Sequence, residues 1–592
     1  MNGNRFWPFP SESDSVLCPV GVLDRDRGLP TAGGRRIVIV GGVAGGATAA
    51  TRLRRLDEYA EIILLERGDT ISHATCGLPY YLGGVIERRE SLLLQNPDSL
   101  RRRYRIDVRV RHEVLRILRD AREVEVRNLQ SGEIYHLGYD HLILATGAAP
   151  VRPSIPGADL DRVFTLRSLP DIDRIMRAAT ASPGGRAAVV GGGFIGLEMA
   201  ENLARRGLQV TLIEAADQVL PPLDREMAAL VHNHLRQNGI DLRLRETVTA
   251  FEPGDKGSLV LCLRSGAILS ADLAILAVGI RPEVQLAAEA GLALGPRGGV
   301  LVDENLRTSD PHISAVGDVA EVPGLQGGTA WVPLAGPASR QARLTADRLG
   351  GLPVRYRGAQ GTGIVQILGL TAAFTGRNEA ALRNQGLPFH SVIITANSHV
   401  GYYPGACPIT LKLHFAPDGK ILGAQAVGAD GVDKRMDVLA TALRLGATVD
   451  DLADLELCYA PPYSSPKDPV NILGYVAGNV LRGERMVDWR QVMSRDPAST
   501  VLLDVREESE RQADRIEGSI HIPLNQLRER LSELPRDREI IVYCAVGLRG
   551  HIALRILEQN GFRVANLSGG LRIYAAVRED MKHTDPAVGY CM

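Results

Sequence analysis

The sequence predicts a multidomain α/β protein, and three observations carry that prediction. Two stretches, RRIVIVGGVAGGATAATRLRRLDEYAEIILLERG from residue 35 and RAAVVGGGFIGLEMAENLARRGLQVTLIEAA from residue 186, each read as strand, glycine turn, amphipathic helix and second strand. The third is a restart of alternating strand and helix patterns after about residue 485. A chain of 592 residues, 45% of them apolar, has room for about three to five ordinary hydrophobic cores.

Charge excludes more than it assigns. The 68 basic and 69 acidic residues nearly cancel, so nothing in the balance points to nucleic acid or to an anionic membrane. The run RRRYR at 101–105 reads as a solvated surface. The glycine-rich IVIVGGVAGGATAAT is short for a membrane span. Residues 1–34 lack the basic-then-apolar order of a secretory leader and read as a flexible extension. Seven cysteines at 18, 76, 262, 407, 458, 544 and 591 form no C-x-x-C pair, so no metal site is expected, and the scattered set fits reduced thiols of the cytoplasm.

The first βαβ unit crowds Gly41, Gly45 and Gly46 into its turn, with Val43 where a strict G-x-G-x-x-G has its middle glycine. Its second strand ends on Glu66, placed to hold ribose hydroxyls. The second unit meets the full pattern with Gly191, Gly193 and Gly196, and its second strand ends on Glu214. There a carboxylate accepts from a ribose 2′-OH and repels a 2′-phosphate, so NADH rather than NADPH is expected. Two dinucleotide sites imply two carriers, and flavin with nicotinamide is the usual pair.

Between and after these units lie YDHLILATGAAP at 139–150, with Thr146 and Gly147 in its turn, and HISAVGDVAEV at 312–322, with Gly317 and Asp318 at a strand end. With these segments the chain resembles the pyridine nucleotide-disulfide oxidoreductases over about residues 35–480. The resemblance implies that Asp318 touches the ribityl chain of FAD, that Glu66 holds its adenosine ribose, and that the second unit, inserted in the first, holds NADH. Taken alone, Asp318 is equally a strand-end turn residue.

In ISHATCGLPYYLGG, residues 71–84, Cys76 stands before Gly77 and Pro79, which suit a turn opening a helix. A sulfur there is expected to feel the positive helix end, which favours thiolate. Four residues earlier stands Ser72, not a second cysteine. The segment resembles the coenzyme A-disulfide reductases, in which one cysteine alternates between thiol and a mixed disulfide with coenzyme A. His73 and Thr75 depart from the phenylalanine and asparagine common in that family, which bears on thiol selectivity. WVPLAGPASRQAR, GYYPGA and YAPPYSSPKDPVN resemble the same family's dimer-forming α+β domain, so a homodimer is implied, with Tyr402 and Tyr459 reaching the partner's active site. Tyr403 and Tyr463 are near enough to leave the register open. For coenzyme A itself, Arg52 and Arg55, with Ser72, are candidate contacts, the two arginines lying three apart on the first helix.

After residue 485 come TVLLDVRE, GSIHIPL, EIIVYCAVGLRG and FRVANLSGG. Cys544 opens a loop closed by Arg549, a shape whose N–H groups form a nest for an anionic sulfur. The C-x-x-x-x-R loop with DVR and G-x-I-x-I-P resembles a rhodanese domain; a phosphatase loop requires one residue more.

The expected organisation is an extension over 1–34, an FAD-binding domain over 35–155 and 272–345, an NADH-binding domain over 156–271, a dimerisation domain over 346–484 and a rhodanese-like domain over 485–592. The function expected is NADH-driven, FAD-dependent reduction of coenzyme A disulfide, coenzyme A persulfide or polysulfide through Cys76, coupled to a sulfur-carrying Cys544. Small-molecule thiols, persulfides or disulfides are the expected partners. The alternatives are an NADH oxidase or peroxidase using a Cys76 sulfenic acid, and a sulfur-carrier or redox-sensing binding protein.

Overall fold

The computed structural model describes residues 34–584. The extension expected before residue 35 therefore lies, apart from Gly34, outside the described residues, as do Cys18 and Cys591.

The first glycine turn belongs to a five-stranded parallel sheet ordered Ile313–Ala315, His141–Leu144, Arg36–Val40, Glu61–Glu66 and Asp107–Val110. Its strands are apolar on both faces because helices or a second sheet cover each side, as parallel sheets require. The second turn belongs to a sheet of the same type, ordered Asp241–Leu244, Gln209–Glu214, Arg186–Val190, Leu273–Leu276 and Val163–Phe164. Each sheet carries a three-stranded antiparallel flap, His112–Gly138 and Val248–Ala271.

The second unit is an insertion in the first. Leu144 precedes it and Ala315 follows it, yet the two residues pair within one sheet. The chain passes out and back through two short strands, Ala148–Pro150 and Ile280–Pro282, hydrogen-bonded antiparallel to each other. This connection brings the carboxyl ends of both sheets toward one region, and the carboxyl ends of the strands are where open α/β sheets bind ligands.

A five-stranded antiparallel sheet follows, from Thr362–Ile367 to Pro408–Phe415 and Ile421–Gly428, backed by helices Val432–Leu445 and Pro469–Leu481. The last unit is a parallel sheet ordered Met486–Val487, Val564–Leu567, Glu539–Tyr543, Thr500–Asp504 and Ile520–His521. It does not hang free. Asp580, fully buried on the final helix Gly570–Thr584, accepts from Arg225, Arg236 and His232 of helix Arg225–Gln237 at 2.6, 2.7 and 3.0 Å. Ser568 Oγ also accepts from Ile393 N at 2.9 Å, at the edge of the antiparallel sheet. Among the described residues no helix is long and apolar enough to cross a membrane.

Candidate active site

The two glycine turns repeat one geometry. Gly41 has φ +101° and Gly191 φ +110°, a region L side chains avoid. A Cβ on Gly46 would lie 1.8 Å from Gly41 O, and one on Gly196 1.9 Å from Gly191 O, so each glycine lets its helix start against its strand. A Cβ on Gly45 would stand 3.3 Å from Val316 Cγ2, a tight contact but not a forbidden one. Val43 and Gly193 are the equivalent residues before the two helices, and both have negative φ, which a side chain tolerates. A Cβ on Gly193 would meet no protein atom within 4 Å. The fold therefore does not require glycine at this position, which is why valine stands at 43 without disturbing the turn.

The strand-end acids close the same turns. Glu66 accepts from Gly42 N and Gly68 N, both at 2.7 Å; Glu214 accepts from Gly192 N at 2.6 Å and Ala216 N at 2.7 Å. Each carboxylate oxygen keeps a second lone pair for a ribose hydroxyl. Asp318 is half-buried with no protein hydrogen bond to its carboxylate among the described residues, and burial raises its pKa against the pull of Arg167. A half-buried acid with no protein partner among the described residues, next to Gly317 at φ +77°, fits a polyhydroxyl chain. Thr146 acts elsewhere. Its hydroxyl donates to Glu283 O at 2.9 Å, fastening the outgoing and returning linkers.

Cys76 sits in a single 3₁₀ turn, Thr75–Gly77, ahead of helix Leu78–Leu82. Ser72 ties this segment to the first nucleotide turn. Its N–H donates to Gly42 O at 2.9 Å and its carbonyl accepts from Leu94 N at 3.0 Å, with Ser72 held at φ +46°, a strain of about 1–2 kcal/mol for a non-glycine residue. The thiol is free, and no second sulfur shares its turn.

The expectation of a stabilised thiolate is corrected by the surroundings. The helix after Cys76 has only five residues, so its dipole is small. Although the residue opens to the surface of the single chain, its walls desolvate the sulfur, and that burial, then Glu198, then Asp318 raise its pKa above the ordinary value. Sequence reasoning missed Glu198. Tyr80, four residues past Cys76, donates its hydroxyl to Glu198 Oε1 at 3.2 Å, and burial pushes Glu198 up to about 7. The available signal was a carboxylate on a helix that buries most of its residues, Phe194–Arg205. His73, beside the thiol segment, is held below its ordinary pKa by burial.

The structure separates the two arginines proposed for coenzyme A. Arg52 is paired with Asp347 of helix Ala335–Leu349 at 2.5 Å and is largely enclosed, so its charge is already met. Arg55 is exposed and forms no ion pair among the described residues.

Tyr402 and Tyr459, 57 residues apart, meet hydroxyl to hydroxyl at 3.0 Å while being 74% and 44% exposed. The Tyr403 ring instead stands edge-on to His399, and Tyr463 projects without a hydroxyl partner among the described residues. No hydrogen bond joins the Tyr402–Tyr459 pair to the Cys76 segment of its own chain among the described residues. It faces outward.

Cys544 is buried at the end of strand Glu539–Tyr543, and Gly547 N donates to its sulfur at 3.1 Å. Leu571 N and Arg572 N support the loop from below through the Cys544 and Ala545 carbonyls. Arg549 presents both terminal nitrogens to both oxygens of Glu510, each at 2.6 Å, and holds that carboxyl down at about 2. The loop is thus fixed by an acid that sequence reasoning did not pair with it.

Three groups close enough to share a cation, Asp224, Glu379 and His414, lie around the buried ammonium of Lys412, which stands 2.8 Å from Asp224 and 2.7 Å from Glu379 and also bonds Glu226. This cluster joins the second nucleotide unit to the antiparallel sheet.

The chain resembles known proteins over most of its length. The model of the pyridine nucleotide-disulphide oxidoreductases fits residues 35–342, that of their dimerisation domain residues 364–468, and that of the rhodanese-like domain residues 487–576. A coenzyme A disulfide reductase of Staphylococcus epidermidis is 37% identical over 451 residues, covering 75% of this chain and 99% of that protein. The reduced CoADR-RHD of Bacillus anthracis superposes with a TM-score of 0.90 at 47% identity, over 93% of this chain and 99% of that one. An NAD-dependent persulfide reductase from A. fulgidus gives 0.86 at 38%, over 91% and 100%.

Proposed function

The chain belongs to the pyridine nucleotide-disulphide oxidoreductases, in the coenzyme A-disulfide reductase branch that carries a rhodanese-like domain, and on that premise we propose that it uses NADH to reduce the S–S bond of coenzyme A disulfide, coenzyme A persulfide or polysulfide. For the disulfide the balance is NADH, a proton and one disulfide giving NAD⁺ and two coenzyme A thiols. For the persulfide it is NADH, a proton and one persulfide giving NAD⁺, coenzyme A and hydrogen sulfide.

The observation that carries the reading is the solitary Cys76 tethered through Ser72 N to Gly42 O of the first nucleotide turn. Gly41, Gly45, Gly46, Glu66, Gly147, Gly317 and Asp318 are the residues that would hold FAD, and Gly191, Gly193, Gly196 and Glu214 those that would hold NADH. Bound there, the flavin accepts a hydride and hands the electron pair to sulfur. Cys76 thiolate attacks one sulfur of the substrate, forms the mixed disulfide with coenzyme A and releases the other half as a thiolate. Two electrons and a proton then return Cys76 to thiolate and free coenzyme A.

Tyr402 and Tyr459 of one protomer serve the thiol of its partner by giving a proton to the departing thiolate, so the active unit is a homodimer. Arg55 is the remaining candidate for a coenzyme A phosphate. Cys544 carries sulfur as a persulfide within its loop. Residues 35–155 with 272–345, 156–271, 346–484 and 485–592 form the FAD, NADH, dimerisation and rhodanese-like units; helix Ala335–Leu349 runs unbroken across the 345 division.

The test is a turnover panel of NADH oxidation with coenzyme A disulfide, coenzyme A persulfide, oxygen and hydrogen peroxide. Turnover dominated by the coenzyme A substrates supports the reading, and turnover dominated by oxygen or peroxide replaces it with sulfenic acid chemistry at Cys76.

A further inference from the structure

One buried arginine gathers the feet of both tyrosine loops. Arg435, on helix Val432–Leu445, is 1% exposed. Its Nη2 donates to Ser398 O at 2.6 Å, Asp468 Oδ2 at 3.0 Å and Ser464 Oγ at 3.2 Å; its Nε approaches Asp468 Oδ1 at 3.4 Å and its Nη1 Gly431 O at 3.3 Å. Ser398 begins the loop that carries Tyr402 and closes it, donating its N–H to Cys407 O at 2.8 Å. Ser464 lies five residues after Tyr459, and its hydroxyl donates to Asp468 at 2.5 Å. Asp468 in turn caps helix Pro469–Leu481 by accepting from Val470 N at 3.0 Å. A direct bond, Val400 N to Ser464 O at 3.1 Å, joins the loops where they pass Arg435.

Charge burial at this place is not explained by stability alone. A buried ion pair is often no more stable than a well-packed apolar pair, so its presence fits a need for one fixed arrangement. The guanidinium suits that need, because its planar donors reach acceptors on several segments, where an ammonium is a single point. Asp468 is kept ionised despite burial by the Ser464 hydroxyl, the Val470 N–H and Arg435. At the far end of both loops the Tyr402 and Tyr459 hydroxyls stand 3.0 Å apart.

We propose that Arg435 is the positioning residue of the tyrosine pair: from one buried guanidinium it fixes the two loops relative to each other, and through them the joint presentation of Tyr402 and Tyr459 to the partner's thiol. This rests on the reading of the tyrosines given above. It assigns Arg435 no contact with substrate or cofactor.

The experiment uses the full-length flavin-loaded protein and five variants: Arg435→Met, Arg435→Lys, Ser464→Ala, the double Tyr402→Phe, Tyr459→Phe, and that double variant with Arg435→Met added. Two rates are read, kcat for coenzyme A disulfide and the single-turnover reduction of flavin by NADH, in which the tyrosines take no part. The expected result is that Arg435→Met lowers kcat by on the order of tenfold or more, toward the level of the tyrosine double variant, with flavin content and flavin reduction unchanged. Adding Arg435→Met to the double variant should cause no further loss, since residues acting as one unit are not additive. Arg435→Lys should recover only part of kcat, and Ser464→Ala should lose a few-fold.

Losses that multiply with the tyrosine substitutions, or flavin reduction slowed in proportion to kcat, overturn the proposal. If Arg435→Met yields no flavin-loaded protein, Ser464→Ala decides, and a wild-type kcat there overturns it as well. A tyrosine double variant with wild-type kcat defeats the reading of the tyrosines and the positioning role together. A crippled double variant beside a wild-type Arg435→Met defeats the positioning role alone.

Discussion

Tyr80 donates its hydroxyl to Glu198 across 3.2 Å, joining the short helix behind Cys76 to the helix that opens on the second nucleotide turn. The bond puts a carboxylate near the thiol, and burial brings that carboxylate's pKa to about 7, with Tyr80 pulling it down and Glu201 pushing it up. Cys76 therefore senses a neighbour that changes charge near neutrality.

The first prediction takes its sign from that pair. Burial is the largest cause of the raised Cys76 pKa, and it stays in any Glu198 variant. An ionised Glu198 opposes a second negative charge on the sulfur, so Glu198→Gln should let the thiolate form at lower pH. The alkylation rate of reduced Cys76, followed against pH, should show its midpoint displaced downward in Glu198→Gln. A midpoint that stays or rises contradicts the assignment.

Division of labour between the two cysteines gives the second. Cys76→Ser should lower NADH-dependent reduction of coenzyme A disulfide by on the order of 10³-fold or more while retaining flavin. Cys544→Ser should remove sulfur transfer from thiosulfate or persulfide and leave disulfide reduction largely intact, with Arg549→Ala resembling it. Loss of every reaction in a folded Cys544→Ser protein would make the two thiols one obligatory relay.

Hybrid dimers test the crossing of tyrosines. Mixing Cys76→Ser protomers with Tyr402→Phe, Tyr459→Phe protomers leaves one intact site in each heterodimer, so about a quarter of wild-type sites should reappear after random exchange. No recovery above the parents would place the tyrosines in their own chain's site or outside the reaction.

The fourth prediction concerns the docked rhodanese-like unit. Burial alone would raise Asp580, but the His232 bond and the Arg225 and Arg236 charges outweigh it and hold its pKa near 2. A folded pKa below the ordinary carboxylate value means the contribution is complete above about pH 4 and is lost as pH falls toward about 2. Asp580→Ala should cost docking about 2–4 kcal/mol, toward the lower part of the range for unpairing buried charges because both arginines reach solvent. Limited proteolysis between the units should accelerate in Asp580→Ala at neutral pH and in the wild type only in acid; equal rates contradict the clamp.

What the sequence made legible was local. Glycine spacing, strand-end acids, Cys76 four residues after Ser72 and the Cys544-to-Arg549 loop all fall within short windows, and both turns form around them. What it hid was distant in the chain. Arg52 meets Asp347 from 295 residues away, Glu198 meets Tyr80 from 118, and Arg549 meets Glu510 from 39, so no periodicity could pair them. The expected thiolate at Cys76 failed for a related reason: the helix was visible in the sequence, but the desolvating walls and the acids facing it were not.

The central claim is tested most directly by mass spectrometry of the peptide containing Cys76 from protein oxidised with coenzyme A disulfide, before and after one equivalent of NADH. The account predicts a coenzyme A adduct on Cys76 that NADH removes with release of one free coenzyme A per adduct. A Cys76 that carries only oxygen, or an adduct confined to Cys544, would contradict it.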